Sequence, residues 1–150
     1  VFTSTRIRSH ETAEQVLRDH PDARTLAIPE FDELWAGDCE GMRYEEIREK
    51  MPEVTKGRNA DKYNFTYPNG ESYAMLTTRV TKGLRRALFL AGDSNVLLIG
   101  HQAINRVLLS LFLCYREENI PYIFIPQNEY YHISVSLRRK LFERIPYSNT

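Results

Sequence analysis

Residues 95–102 read Asn-Val-Leu-Leu-Ile-Gly-His-Gln, and this stretch decides the fold class. Its four consecutive apolar residues end at Gly100, a pattern typical of a strand in a sheet that is buried on both faces. Gly100, His101 and Gln102 then predict a tight turn into a helix that ends near Cys114. A buried strand that leads directly into a helix indicates an α/β protein, with helices on both faces of its sheet.

The remaining chain continues this alternation and is expected to form one domain. Its patterns predict further strands at residues 1–3, 25–28 and 131–137, and further helices from Glu11, over residues 44–50 and over residues 71–90. The helix over 44–50 should stop before Pro52, because the residue before a proline disfavours helical dihedrals. Residues 53–69 lack periodicity and predict a long loop, and residues 138–140 are expected to end the last strand.

Two segments are expected at the carboxyl ends of strands, where ligands bind in α/β sheets. They are residues 4–8 and residues 100–102. His101 would lie at a helix N-terminus, where free backbone N–H groups and the helix dipole favour an anion such as phosphate. The alternative is a histidine that only caps the turn through a backbone hydrogen bond.

Arginines accompany both segments. The guanidinium of Arg8 can fork onto phosphate oxygens. Arg6 is two residues away, and one of these two arginines is expected to be a solvated surface charge. Arg106 lies one helical turn after Gln102, so it could face the same anion.

Cations and phenols are concentrated around residues 68–70. The group consists of Arg58, Lys62, Tyr63, Tyr67 and Tyr73. The cations would supply charge to a phosphate, while the tyrosines would add directed hydrogen bonds and line a sugar. The alternative is a surface loop whose tyrosine rings belong to the core.

An acidic loop supplies a candidate proton donor, Glu33. Its acidic neighbours are Glu30, Asp32, Asp38 and Glu40. A carboxyl group near a phosphate ester could protonate the leaving oxygen if burial or nearby negative charge raised its pKa. The alternative is a solvated acidic face without a catalytic role.

Composition argues against several functional classes. The chain carries 20 basic and 20 acidic residues, whereas a nucleic-acid-binding domain of this size usually has an excess of base. Its longest mostly apolar run, residues 104–114, is interrupted by polar residues and is too short to cross a bilayer. Cys39 and Cys114 lack the spacing of metal ligands, so no metal site is predicted. Both are expected to be buried free thiols of a cytoplasmic protein.

Four motifs together resemble a known family. Residues 2–14, Phe-Thr-Ser-x-x-x-Arg-x-x-x-Thr-Ala-Glu, and residues 100–106, Gly-His-Gln-Ala-x-x-Arg, resemble segments of the histidine phosphatase superfamily, which includes the phosphoglycerate mutases. Residues 33–47 look like the acid-bearing loop of its fructose-2,6-bisphosphatase branch. The pair Arg-x-x-x-Lys-Tyr at 58–63 and Tyr-Pro-x-Gly-Glu-Ser-Tyr at 67–73 resembles that branch more specifically.

The resemblance implies a three-layer fold with a mostly parallel sheet, and a two-step phosphoryl transfer without metal or cofactor. A histidine attacks the 2-phosphate of fructose 2,6-bisphosphate, and water hydrolyses the resulting phosphohistidine. Arg8 and His101 would surround the transferring phosphoryl group, while Glu33 would act first as acid and then as base. The residues implied in holding the sugar and its 6-phosphate are Tyr44, Arg58, Lys62, Tyr73, Gln102 and Arg106.

The nucleophile of this family lies in an Arg-His-Gly-Glu motif on the first strand, and the sequence contains no Arg-His pair. We therefore expect an upstream segment to supply that motif and a central strand. Residues 1–150 alone are expected to be incomplete at the N-terminus, to fold poorly and to be inactive. A sugar kinase with its ATP, as in many family members, would also lie upstream, because no Walker A motif is present.

Two other functions stay open at the level of sequence. One is a broader histidine phosphatase or mutase, against which the complete 6-phosphate set argues. The other is an inactive module that binds a sugar phosphate, and the residue at the nucleophile position would separate it from an enzyme. The sequence does not indicate an oligomeric state.

Overall fold

The computed structural model describes residues 1–136 and 139–147. In chain order the elements are β1 (Phe2–Thr3), α1 (Ile7–Leu17), β2 (Leu26–Ala27), α2 (Tyr44–Lys50), α3 (Pro52–Ala60), α4 (Tyr73–Ala91), β3 (Leu98–Ile99), α5 (Gln102–Leu113), β4 (Glu129–Val135) and β5 (Lys140–Pro146). Short 3₁₀ turns lie at Pro29–Phe31, Gly37–Cys39 and Glu117–Tyr122. The predicted α/β class, with helices flanking a parallel sheet, is confirmed.

Three short parallel strands form the sheet, in the order β2-β1-β3. Phe2 pairs with Leu26 on one side and with Leu98 on the other. Because the strands are parallel, their carboxyl ends meet at one edge of the sheet. The turns that follow β1 and β3 therefore lie side by side, as the sequence predicted.

The core lies between the sheet, α4 and α5. Its fully buried members include Ile28, Phe31, Leu76, Val80, Ile104 and Val107. Helix α4 begins at the N-cap Ser72, whose hydroxyl accepts a hydrogen bond from the Met75 N–H at 3.2 Å. Along α4 the buried side chains recur at steps of three and four, which is the spacing that predicted this helix.

The loop predicted over residues 53–69 is partly wrong, because Pro52–Ala60 form the helix α3. Pro52 occupies the first turn, where its missing N–H costs no intrahelical hydrogen bond. Only Val54 is buried in α3, so the sequence carries no apolar stripe that would indicate a helix. Helix α2 does end at Lys50, before Pro52, as predicted.

The C-terminal prediction also needs correction. In place of one strand that ends at residues 138–140, β4 and β5 form an antiparallel hairpin, in which Val135 pairs with Lys140. Lys140 begins the second strand, which the sequence did not predict. Leu137 and Arg138 lie outside the described residues. Cross-strand stacking of Tyr131 on Phe142, with ring centroids 5.4 Å apart, stabilises the pair.

Smaller differences concern the strand and helix ends. Helix α1 begins at Ile7, four residues before the predicted start at Glu11. The residues of β3 are only partly buried, whereas the sequence predicted burial on both faces.

The two cysteines differ in exposure. Cys39 is buried, as expected for both thiols, but Cys114 is exposed. Cys114 ends α5 in the left-handed conformation, which turns its side chain out of the helical register.

Within the described residues, no helix combines the length and the apolar character that a bilayer span requires.

Candidate active site

His101 is the N-cap residue of α5, and only Gly100 separates it from the end of β3. Its buried imidazole lies between the side chain of Ser4, in the turn after β1, and that of Arg8, in the first turn of α1. Nε2 is 2.7 Å from Ser4 Oγ, and Nδ1 accepts a hydrogen bond from Arg8 Nε at 3.1 Å. The ring does not cap the helix, since no side-chain capping bond forms at this end. The interpretation of His101 as a simple turn cap is therefore wrong.

These contacts determine the protonation of the ring. A guanidinium N–H only donates, so Nδ1 must be the acceptor and the neutral ring carries its hydrogen on Nε2. Burial and, to a lesser extent, the positive charge of Arg8 lower the pKa of His101 from 6.5 to about 4, although the carboxylate of Asp32 opposes the change. At neutral pH His101 is an uncharged donor.

Two buried serines hold the ring in place. Ser4 Oγ accepts a hydrogen bond from the Arg6 N–H at 3.1 Å and lies 2.8 Å from Ser9 Oγ. Ser9 in turn donates to the Arg6 carbonyl at 2.7 Å. Neither serine is among the site residues predicted from the sequence. Ser4 has one sequence signal, a small hydroxyl residue directly after the strand β1, whereas Ser9 lies inside α1 and has none.

Arg6 and Arg8 make different contacts in the structure. Arg8 reaches His101 with its side chain, whereas Arg6 takes part in the serine network through its backbone. Both side chains are exposed, so Arg8 presents its remaining donors at the open face of the site. Arg8 is therefore the arginine that lies beside the candidate anion position.

Glu33 reaches the same helix end from the acidic loop. Its half-buried carboxylate accepts a hydrogen bond from the Ala103 N–H at 3.2 Å and another from the Leu34 N–H at 2.9 Å. The neighbouring Asp32 accepts from the backbone N–H of Thr5 at 2.7 Å and also from the Thr5 hydroxyl. Asp32 thus joins the acidic loop to the turn that carries Arg8.

A second group of cations and phenols lies around α3. Arg58 donates from Nε to the Tyr67 hydroxyl at 3.0 Å, and its guanidinium lies 5.8 Å from the centre of the Tyr44 ring. Tyr63, by contrast, is buried in the core, which is the alternative that the sequence left open for these tyrosines. Arg58, Tyr67 and Tyr44 form one continuous patch.

Lys62 belongs to the same group. Its ammonium donates to the Pro121 carbonyl at 3.0 Å and lies 4.6 Å from the centre of the Tyr122 ring. Partial burial and, to a lesser extent, the positive charges of Arg58 and Arg106 lower the pKa of Lys62 from 10.5 to about 8. Three cations thus crowd one region, and this repulsion would be relieved by a bound anion.

Tyr73 connects the two groups. Its hydroxyl accepts a hydrogen bond from Arg106 Nη1 at 3.0 Å, and Arg106 Nε is fixed on the Ile123 carbonyl at 2.9 Å. Burial raises the pKa of Tyr73, the Arg106 contact opposes this, and the negative charge of Glu33 adds to the rise. Tyr73 therefore lies close enough to both Arg106 and Glu33 to feel their charges.

The side chain of Gln102 takes no part in the contacts described above. This residue is the exposed first residue of α5, next to His101. No group of three metal-ligating side chains occurs in residues 1–136 and 139–147. The site brings together arginines, a neutral histidine and a helix N-terminus, with one carboxylate beside them.

The chain is similar to curated bisphosphatases. It is 42% identical over 126 residues to a 6-phosphofructo-2-kinase/fructose-2,6-bisphosphatase of Gallus gallus, and 37% identical over 126 residues to a fructose-2,6-bisphosphatase of Saccharomyces cerevisiae. Both alignments cover 84% of this chain but only 25% and 26% of the two relatives. The chain therefore spans about a quarter of the length of these proteins.

Solved structures and a family model agree on the fold. The alpha-ribazole phosphatase from Shigella flexneri superposes with a TM-score of 0.84 at 20% identity, over 97% of this chain and 71% of that one. At this identity the likeness concerns the fold alone. The family model described as "Histidine phosphatase superfamily (branch 1)" matches residues 1–146. The chain belongs to the histidine phosphatase superfamily.

Proposed function

We propose that this chain forms the substrate-binding and acid–base part of a fructose-2,6-bisphosphatase, which hydrolyses the 2-phosphate through a phosphohistidine. The observation that carries the proposal is the meeting of Arg8, His101 and Glu33 at the N-terminus of α5. Fructose-2,6-bisphosphatase is the activity shared by the names of the chicken and yeast relatives. The kinase named in the chicken protein would be a separate part of the whole molecule.

In this proposal the transferring phosphoryl group lies beside Arg8 and His101. Arg8 stabilises the negative charge that spreads over the phosphoryl oxygens, and His101 donates a hydrogen bond as a neutral ring. This donation requires the ring to leave Ser4, or to turn, when the anion binds. The first turn of α5, whose Ala103 N–H already donates to Glu33, adds the partial positive charge of the helix N-terminus.

Glu33 supplies the proton in the first step. It would protonate O2 of the sugar as the bond to phosphorus breaks, and in the second step it would accept a proton from the attacking water. The 6-phosphate would bind among Arg58, Lys62 and Arg106. Tyr44, Tyr73 and Gln102 would contact the sugar or its phosphate, and Tyr73 bridges the two ends of the substrate.

The nucleophile is proposed to come from sequence outside residues 1–150. Of the four histidines in the sequence, His101 is the one that contacts Arg8, and it has both ring nitrogens engaged. Among the described residues, β3 pairs along one edge only, with β1. A further strand along the other edge of β3 would bring a histidine at its carboxyl end next to His101.

The test uses the intact natural protein and four phosphate esters: fructose 2,6-bisphosphate, fructose 1,6-bisphosphate, fructose 6-phosphate and 3-phosphoglycerate. We expect phosphate release from the first, together with an acid-labile, base-stable phosphoenzyme trapped by rapid quenching. Similar rates on all four esters would contradict the proposed specificity and favour a broader phosphatase. Binding without release would favour a sugar-phosphate-binding module.

Glu33→Gln is the matched variant for the mechanism. It keeps the size of the side chain but removes the proton, so kcat on fructose 2,6-bisphosphate should fall by about 10²- to 10⁴-fold. Affinity for fructose 6-phosphate, measured by calorimetry, should stay within about threefold, because the proposed 6-phosphate cations are untouched. Unchanged turnover would remove Glu33 from the acid role.

A further inference from the structure

An ion pair outside the proposed substrate contacts holds the loop that carries Glu33. Arg79 on α4 donates to Glu71 from Nε at 3.0 Å and from Nη2 at 2.5 Å. The side chains are 26% and 12% exposed, so solvent screens this pair only partly. Both carboxylate oxygens of Glu71 are used, which gives the contact the fork geometry of arginine on carboxylate.

The remaining donors of Arg79 reach the backbone of the acidic loop. Nη1 donates to the Glu30 carbonyl at 2.8 Å, and Nη2 donates to the Glu33 carbonyl at 3.2 Å. A single guanidinium therefore fixes two carbonyls of the loop, one of them belonging to Glu33 itself. Arg79 does not touch the Glu33 carboxylate, whose hydrogen bonds go to Leu34 and Ala103.

Glu71 fixes the other side of the loop. Its Oε1 accepts from the Trp35 N–H at 2.9 Å, and its own backbone N–H donates to the Trp35 carbonyl at 2.9 Å. The loop is thus attached before Glu33, at Glu33 and after Glu33. We call Arg79 and Glu71, with these bonds, the loop clamp.

We propose that the loop clamp is a positioning device that sets the direction of the Glu33 carboxylate for proton transfer. The inference rests on the proposed function for its kinetic consequence, but its structural part can be tested without turnover. A displacement of about 1 Å in a reacting group can cost about 100-fold in rate, so a backbone anchor at the acid is sufficient to matter. Neither Arg79 nor Glu71 would contact the substrate.

The first test follows the Glu33 carboxylate directly. The intact protein is labelled with ¹⁵N-alanine, and the amide shift of Ala103 is titrated from pH 3 to pH 8. In the wild type this shift should follow the ionisation of Glu33, and in Glu33→Gln that step should disappear. We expect Arg79→Gln and Glu71→Gln to displace or abolish the step. An Ala103 titration in Arg79→Gln that matches the wild type would overturn the inference.

The second test separates positioning from stability. Kinetics on fructose 2,6-bisphosphate are measured for Arg79→Gln, for Arg79→Lys, and for Leu109→Ala, a buried change in α5 away from the loop clamp. Arg79→Gln should lower kcat by about 100-fold with KM changed by less than about threefold. Arg79→Lys should not restore kcat, because a single ammonium cannot reach Glu71 and both carbonyls together.

The control variant separates a failure of the loop-clamp inference from a failure of the proposed function. Leu109→Ala should lower the melting temperature but leave kcat within about threefold, and a loss of kcat in Leu109→Ala equal to that of Arg79→Gln would contradict a specific role for the loop clamp. A wild-type protein that releases no phosphate would reject the proposed function. The Ala103 titration would still decide whether the loop clamp positions Glu33.

Discussion

At His101, burial and two hydrogen bonds act on a single imidazole. Arg8 donates to Nδ1 and Ser4 lies at Nε2, so a second proton on the ring would lose the Arg8 bond and face its charge. Burial, and after it the charge of Arg8, lower the pKa of His101 to about 4. In the proposed function, a neutral His101 would not compete with the nucleophile for a proton at neutral pH.

This lowered pKa makes a prediction about stability. Between pH 6.5 and about 4 the unfolded chain binds a proton at His101 that the folded protein does not, so the free energy of unfolding should fall as the pH is lowered through this range. The contribution is at most on the order of 3 kcal/mol. Urea unfolding of the wild type and of His101→Gln, each at pH 7 and pH 4.5, measures it.

The variant should lose less stability than the wild type over this interval. Carboxylates that titrate in the same range contribute to both proteins and cancel in the difference. Equal losses in the two proteins would contradict a lowered pKa at His101.

At the scale of elements, α4 packs very closely at Gly83 against residues 28–31, where the acidic loop begins. A Cβ atom at this position would lie 2.7 Å from Glu30 Cβ, 3.0 Å from Phe31 and 3.3 Å from Ile28. Ile28 and Phe31 are fully buried, so they have little room to move. The absence of a side chain at Gly83 allows α4 to approach the loop that its own Arg79 holds.

Gly83→Ala should therefore destabilise the protein, although alanine favours a helix by about 1 kcal/mol over glycine. Overpacking of a close contact costs about 1–3 kcal/mol, which exceeds that gain for a site with rigid neighbours. Thermal or urea unfolding measures the net effect. Arg85→Ala, an exposed change in the same helix, should stay within about 0.5 kcal/mol of the wild type. If the Gly83→Ala protein is more stable than the wild type, residues 28–31 can move to accommodate the added methyl group, which contradicts the prediction.

At the scale of the whole molecule, the sheet ends at β3 in the part of the chain that the structure describes. Phe2 N–H donates to the Leu97 carbonyl at 2.8 Å, and the register pairs Phe2 with Leu98. Because the C=O and the N–H of one trans peptide group point in opposite directions, the N–H of Leu98 points to the free edge. An unpaired edge is a template for another strand.

In the intact natural protein we expect the Leu98 amide to exchange with solvent as slowly as the Phe2 amide, because the proposed nucleophile-bearing strand would pair with it. Hydrogen exchange followed by mass spectrometry with peptide fragmentation, or by NMR, measures both amides in one sample. Phe2 is the internal control, since its bond to Leu97 is present already. Fast exchange at Leu98 beside a protected Phe2 would mean that no strand occupies this edge.

The sequence predicted the elements that are specified by residues close together in the chain. The apolar spacing of α4 and the proline after α2 specify where these helices lie, because periodic burial and a fixed dihedral act within a few residues. Helix α3 buries only Val54, so its packing leaves no stripe in the sequence. Strand β5 became recognisable only through its partner β4, since most of its residues are exposed and only Leu141 and Ile145 are partly buried.

The sequence by itself determined the chemistry that this chain can offer: a histidine and an arginine at strand ends, a carboxylate in a loop, and cations with phenols for a phosphorylated sugar. Only the tertiary structure decided which of these groups meet. Glu33 and Ala103 are 70 residues apart, and Arg79 and Glu33 are 46 apart. The choice of Arg8 over Arg6, the tautomer of His101 and the loop clamp all depend on such distant contacts. They form only when the whole core fixes the separation of the elements, and no pattern of neighbouring residues encodes that separation.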